Sequence, residues 1–272
     1  MKIVIAPDKF KGTLTALQVA EIEAAAFRAA APDIEIVSIP LADGGEGTVD
    51  TLTAALHGSI FTALVHDPLG HPVPAKFGLA GSTAILEMSA ASGMILLDRA
   101  QQNPLTTTTY GTGELILAAL NAGAKEIIIG IGGSATIDGG CGMAEALGVE
   151  FLDRSGNRLQ NLCGGKLDQI ARIKTDSCDH RISKTVFRIA SDVTNPLLGE
   201  NGSVKVFGPQ KGATREMIPV LENGLANFRH IVFEQHILAD DMPGDGAAGG
   251  LGLGLRAFCN AHPESGAQLA IQ

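Results

Sequence analysis

Two stretches of this sequence place three or more glycines directly after an apolar run and directly before a helical pattern. They are L-A-D-G-G-E-G-T at Leu41–Thr48 and G-I-G-G-S-A-T-I-D-G-G-C-G at Gly130–Gly142. A loop of this kind, leaving a buried strand and opening a helix, lets successive backbone N–H groups approach an anion. Both loops carry the phrase Asp-Gly-Gly, at Asp43–Gly45 and Asp138–Gly140. One such phrase needs no more than a turn with positive φ. Two of them, each after a strand pattern, point to ligand loops on an α/β framework. The first loop also holds Asp43 and Glu46, and carboxylates repel phosphate. It is therefore expected to meet something other than phosphate alone.

The rest of the chain fits that framework. Lys2–Ala6 reads as a short buried strand, and Thr15-x-x-Gln18 as a capping box opening a helix. Val19, Ile22, Ala26 and Phe27 are expected on its inner face. Ile34–Pro40 reads as a second strand, followed by the first glycine loop and a helix aligning Val49, Leu52 and Leu56. A β-α-β-α order of this kind implies a parallel sheet. The rhythm then changes. Ile60–His66, Val73–Leu79 and Thr83–Met88 are short extended runs between turn signals, as in an antiparallel meander. A helix from Thr112, a strand at Glu126–Gly130, the second glycine loop, a helix near Gly142–Leu147 and a strand at Val149–Leu152 form another alternating set. Thr185–Ala190 is a further strand, 218–232 has a helical apolar pattern, and Gly244–Leu255 is dense in glycine but regularly apolar. The last residues look like the start of a strand. The first β-α-β unit has fewer strands than the four to six common in a sheet.

Composition narrows the function classes. With 272 residues, of which 45% are hydrophobic, the chain can bury a large core without staples. The net charge of −9 and the lack of a basic stripe argue against nucleic-acid binding. No apolar run approaches the roughly 20 residues needed to span a bilayer. The N-terminal apolar stretch is too short for a signal peptide, so a cytoplasmic protein is expected. Cys141, Cys163, Cys178 and Cys259 are widely spaced and fit no zinc pattern with the seven histidines, which favours reduced structural thiols. His66 and His71 flank a D-P-L-G turn and read as exposed hairpin residues.

Several short constellations add chemistry. In the second glycine loop, Gly130, Gly132, Gly133, Gly139 and Gly140 free the backbone, Ser134 and Thr136 add hydroxyls, and Asp138 adds a carboxylate. No Walker-type phosphate loop occurs. Gly130, Gly132 and Ala135 fit a dinucleotide fingerprint, with Asp153 near the distance of a ribose-binding acid. Yet Asp138-Gly139-Gly140 prolongs the loop, so the helix starts too late for that motif. Asp8-Lys9-Phe10-Lys11 ends the first strand, where open α/β sheets place ligands. Ser191-Asp192-Val-Thr-Asn195 ends another, and Lys211 lies in a Gly-Pro-Gln-Lys-Gly turn. Together these offer phosphate donors, cations and carboxylates, as phosphoryl transfer requires.

With these phrases assembled, the chain resembles bacterial glycerate kinases of the glycerate 2-kinase type. The matching phrases are A-P-D-K-F-K-G (Ala6–Gly12), P-L-A-D-G-G-E-G-T (Pro40–Thr48), G-T-G-E-L-I (Gly111–Ile116) and G-I-G-G-S-A-T-I-D-G-G (Gly130–Gly140). They continue with D-V-T-N-P-L (Asp192–Leu197), F-G-P-Q-K-G-A (Phe207–Ala213) and G-A-A-G-G-L-G (Gly246–Gly252). The resemblance implies a kinase that uses ATP and Mg²⁺ to phosphorylate D-glycerate, with 2-phosphoglycerate as the favoured product. It implies two α/β domains. One is flavodoxin-like, begins with residues 1–58 and is expected to resume at 263–272. The other, 59–262, is a mixed-sheet domain resembling a restriction-endonuclease core and carrying the nucleotide loop. On this reading Asp192 is the base or a metal-linked carboxylate, with Lys11 beside it in catalysis. Asp8, Lys11, Asp43, Glu46 and Lys211 bind substrate or offset its charge, Asp43 and Asp192 serve the metal, and the Gly130–Gly140 loop binds phosphates. The family usually has Asn where this chain has Ile137, and it continues past Gln272, so a shortened glycerate kinase is expected, paired with a copy of itself or a complementing fragment. The alternatives are a non-catalytic remnant acting as a binding module, and a nicotinamide-dependent oxidoreductase.

Overall fold

The computed structural model describes residues 1–7, 10, 13–39 and 44–264. Strand β1 (Lys2–Ile5) runs parallel to β2 (Glu35–Ser38), from Lys2 opposite Glu35 to Ile5 opposite Ser38. Helix α1 (Ala16–Ala30) connects them, and both halves of its capping box form. The Gln18 amide donates to Thr15 Oγ1 at 3.2 Å, and the Thr15 amide donates to Gln18 Oε1 at 2.9 Å. The inner face of α1 differs from the one expected. Ala16, Val19, Ala20 and Ala24 are buried, Ala20 and Ala24 packing with Ile5, while Ile22 and Phe27 are exposed. This helix carries apolar residues around most of its circumference. Its sequence alone therefore does not select a face, and the short side chains let it sit closest to the two strands.

After β2 comes α2 (Thr48–Ala55), which packs on strands of the central sheet. Val49 and Leu52 join Ile85, Ile128 and Ala190 in one small core. That sheet begins with β3 (Ser59–His66), β4 (Pro72–Ala80) and β5 (Thr83–Glu87), the expected antiparallel meander. The short α3 (Ser89–Ser92) follows, and α4 (Tyr110–Asn121) begins two residues ahead of the expected Thr112. β6 (Glu126–Gly130) then pairs parallel to β5.

Beyond α5 (Cys141–Ala146), β7 (Glu150–Leu152) does not extend the central sheet. It pairs antiparallel with β8 (Arg172–Lys174) in a separate ribbon. The aromatic ring of Phe151 is the physical reason, since it is drawn into a second core against Phe228 and Phe258. β9 (Val186–Ala190) returns to the central sheet beside β6. α6 (Ser203–Phe207), α7 (Met217–Glu234) and α8 (Ala247–Cys259) close the second core, and β10 (His262–Glu264) pairs parallel to β9. The sheet order is β10-β9-β6-β5-β4-β3. The fold is thus α/β, with a parallel two-stranded sheet and a mixed six-stranded one.

Register brings the carboxyl ends of three neighbouring strands level, with Glu87 opposite Gly130 and Gly130 opposite Ala190. Carboxyl ends of parallel strands are where open α/β sheets bind ligands. All the loops described next leave from this line or cross it.

Candidate active site

The two glycine loops meet backbone to backbone. The Gly132 amide donates to the Gly44 carbonyl at 3.0 Å. Gly44 has a φ of +81°, and a Cβ on it would lie 2.1 Å from the Ala190 carbonyl oxygen. Only glycine lets the first loop pass this close over the ends of β6 and β9. The Asp-Gly-Gly half of the second loop meets α8 in the same way. The Gly139 amide donates to the Gly249 carbonyl at 3.0 Å, and a Cβ on Gly249 would lie 1.9 Å from the Thr136 carbonyl oxygen. The glycine clusters are therefore contact surfaces between loops.

Between them lies a pocket of about 460 Å³. Gly45, Glu46 and the Ile131–Gly133 segment form one side, residues 190–193 another, and Ala247 and Ala248 a third. Of the residues expected at the site, Glu46, Gly132, Gly133 and Asp192 line this pocket, with the Glu46 and Asp192 residues exposed at its mouth. Gly130 ends β6 just below. Ser134, Thr136, Asp138, Gly139, Gly140 and Lys211 lie behind the wall and do not line it. Asp8, Lys11 and Asp43 lie outside the described residues.

The wall is anchored by buried charges. Lys211 is only 1% exposed, and its ammonium donates to Ser134 Oγ at 2.6 Å and to the Thr136 carbonyl at 2.8 Å. Burial lowers its pKa to about 7, opposed by the charge of Asp138. Asp138 is fully buried. Its carboxylate accepts from the Thr109 amide and hydroxyl at 2.8 Å each, and from the Gly140 and Gly142 amides at 3.2 Å each. Burial raises its pKa, and these four hydrogen bonds pull the other way.

Two further anchors escaped sequence reasoning. Glu87, buried at the end of β5, accepts from the Val49 amide at 2.7 Å and so holds the start of α2 behind Glu46. Burial raises its pKa as well. Arg256 and Asp245, both buried, pair through one guanidinium nitrogen at 2.7 and 2.8 Å. That pair fixes the start of α8, where Ala248, Gly249 and Gly250 all adopt left-handed backbone angles. Ala248, at φ +52°, is the strained one, because its Cβ opposes that region. An Asp and an Arg flanking the glycine-dense phrase were the available signal for the ion pair. Glu87 left none, since only strand register places it.

Other expectations are placed as follows. The four cysteines are unpaired, three of them buried, and burial pushes every thiol upward in pKa, so none is an activated nucleophile. His66 Nδ1 lies 2.9 Å from Glu114, and His71 is exposed in its turn. Among the described residues no group of three or more His, Cys, Asp or Glu could hold a metal, and no helix is long and apolar enough to cross a membrane. α5 starts at Cys141, after a left-handed Gly140, so the glycine loop does not open its helix inside the motif as a dinucleotide fingerprint requires.

The sequence profile of the glycerate kinase family matches residues 3–272. The chain belongs to the glycerate kinase family. It is 48% identical to the glycerate 2-kinase of Escherichia coli K12 over 99% of this chain and 71% of that protein. It is 47% identical to the glycerate kinase of Bacillus subtilis strain 168 over 100% of this chain and 72% of that one. The crystal structure of a candidate glycerate kinase 2 from Salmonella typhimurium LT2 superposes with a TM-score of 0.92 at 48% identity, covering 99% of this chain and 73% of that one. In this glycerate kinase family member, Ile137 is completely buried in the second core beside Cys141 and Phe228. A polar amide there would need a partner that the apolar core does not offer.

Proposed function

We propose that this chain transfers the γ-phosphoryl group of ATP to D-glycerate, giving 2-phosphoglycerate. Family membership supports the reaction class, and one structural observation carries the reading. The pocket at the strand ends has a glycine loop on one side and the carboxylates of Glu46 and Asp192 at its mouth. Phosphoryl transfer asks little of the protein beyond positioning and charge stabilisation. The glycine loop provides close backbone approach, and the two carboxylates can accept hydrogen bonds from the hydroxyls of a hydroxy acid.

Magnesium suits this donor set. Mg²⁺ takes one or two carboxylates together with substrate phosphates rather than an all-protein cage, and Asp192 and Glu46 are hard oxygen donors of that kind. When bound, the ion would offset charge on the phosphates. Asp192 follows the end of β9 at the pocket rim, where its carboxylate either takes the proton of the attacking hydroxyl or holds the ion. The test is a coupled assay of ATP consumption with D-glycerate, with enolase as the coupling enzyme that accepts only the 2-phospho product. No glycerate-dependent ATP consumption, or heat protection by NADH in place of ATP, would sink the reading. Asp192→Asn is expected to lower kcat by about 10²–10⁴-fold, the usual range for an acid–base group. An unchanged kcat removes Asp192 from the chemistry.

A further inference from the structure

We propose that Lys211 is a positioning residue whose ammonium never meets a ligand and acts by holding the Ser134–Thr136 segment behind the pocket wall. The proposal rests on the reading that this loop serves the phosphoryl donor. The turn that delivers Lys211, Pro209–Lys211, is itself pinned. Gly212 follows it at φ +87°, and a Cβ there would lie 2.1 Å from the Gln102 carbonyl oxygen. From this fixed base the side chain runs inward until it is almost wholly enclosed. A lysine so placed is rare without a purpose for its charge, because burying an ammonium is costly.

The ammonium has three donors and no acceptor. Two of them go to the same loop, to Ser134 Oγ and to the Thr136 carbonyl, on either side of Ala135. The Ala135 amide donates to the Ser92 carbonyl at 2.9 Å, so the segment is gripped from two directions. Next to Ser134 is Gly133, which lines the pocket. Against the Thr136 carbonyl lies Gly249, whose neighbour Ala248 lines the opposite wall. One ammonium therefore fixes the spacing of two walls. Among the described residues the ammonium has no direct ion-pair partner: the Asp138 carboxylate takes its hydrogen bonds from Thr109, Gly140 and Gly142 and acts on it only through space.

Steady-state kinetics and heat protection of wild type, Lys211→Met and Ser134→Ala test this. Lys211→Met is expected to raise the KM for ATP about tenfold or more, as for a lost charged hydrogen bond, with the KM for D-glycerate within about twofold of wild type. Ser134→Ala should shift the KM for ATP in the same direction by about threefold, and the double variant should match Lys211→Met alone. A loss borne by the KM for glycerate would mean direct substrate contact. A fall in melting temperature with both KM values unchanged would mean a purely structural lysine. Either result overturns the proposal, as do additive effects in the double variant. If Lys211→Met fails to fold, Ser134→Ala decides, and an unchanged KM for ATP in it refutes the role.

Inorganic tripolyphosphate supplies a readout free of turnover. It should raise the melting temperature of wild type and not that of Lys211→Met. Protection of wild type alone, without glycerate turnover, would refute the proposed reaction and leave the lysine's role standing. Glycerate turnover with a wild-type KM for ATP in both variants would do the reverse. Neither protection nor turnover in wild type would refute both.

Discussion

Replacing Lys211 by Met should change how stability depends on pH, in a direction and amount that the structure sets. The ammonium is enclosed, and desolvation lowers its folded-state pKa to about 7 from the ordinary lysine value of 10.5. Below about pH 7 both folded and unfolded chains hold the proton, and above about 10.5 neither does, so stability has no slope from this group there. Between those limits the unfolded chain holds a proton that the folded chain has released. Unfolding free energy then rises with pH by about 1.4 kcal/mol per unit, about 5 kcal/mol over the whole window. The penalty of the buried charge is present in full at the acid end and is relieved as pH rises.

Met has similar length and no titrating group, so subtracting the variant's curve from that of wild type cancels the groups that do not interact with Lys211; Asp138, whose charge it feels, is the one coupled group. Urea denaturation of both proteins from about pH 6 to about pH 10 measures the difference. The advantage of wild type over Lys211→Met should be flat near pH 6 and climb above neutrality at about 1.4 kcal/mol per unit. Parallel curves through that window would show that the lysine is not desolvated when folded, and the account of the anchored loop would lose its basis.

Three other outcomes follow from the same geometry. Gly44→Ala should cost more than about 3 kcal/mol, since it adds a collision with the Ala190 carbonyl to left-handed strain. Gly47→Ala, at φ +93° with nothing within 4 Å, should cost only the strain, about 1–2 kcal/mol; equal losses in denaturant titrations would refute the close-approach argument. Arg256→Met leaves the Asp245 carboxylate buried and unpaired, for a loss of about 3–5 kcal/mol, and a loss below about 1 would mean that water reaches the pair. Ala248→Gly should stabilise the fold by about 0.5–1 kcal/mol by relieving the left-handed alanine, read as a rise in denaturation midpoint; a fall would show the strain to be absent.

The elements of this fold were largely legible in the sequence, because they depend on local periodicity and end signals. The capping box of α1, the meander of β3 to β5, the strand at Glu126–Gly130 and the long α7 all stand where patterning puts them. The inner face of α1 and the partner of β7 were not legible. A helix apolar on several sides and a three-residue strand carry no local mark of what they will pack against. Of the residues that line the strand-end pocket, Glu46, Gly132, Gly133 and Asp192 could be named from motifs, because loop glycines and carboxylates that follow strands have a local signature.

Which of those residues face the pocket and which stand behind it was decided only by the tertiary structure. Lys211 reads in sequence as a cation in a turn, free to meet an anion. Folding closes the chain over it and points it at Ser134 and Thr136. Asp138 and the glycines after it read as part of a cradle, and folding turns them inward onto Thr109 and α8. Sequence determines where a backbone can turn and which side chains carry charge. The side on which each group ends up depends on segments far away along the chain, because burial is a property of the assembled neighbours and not of the residue itself.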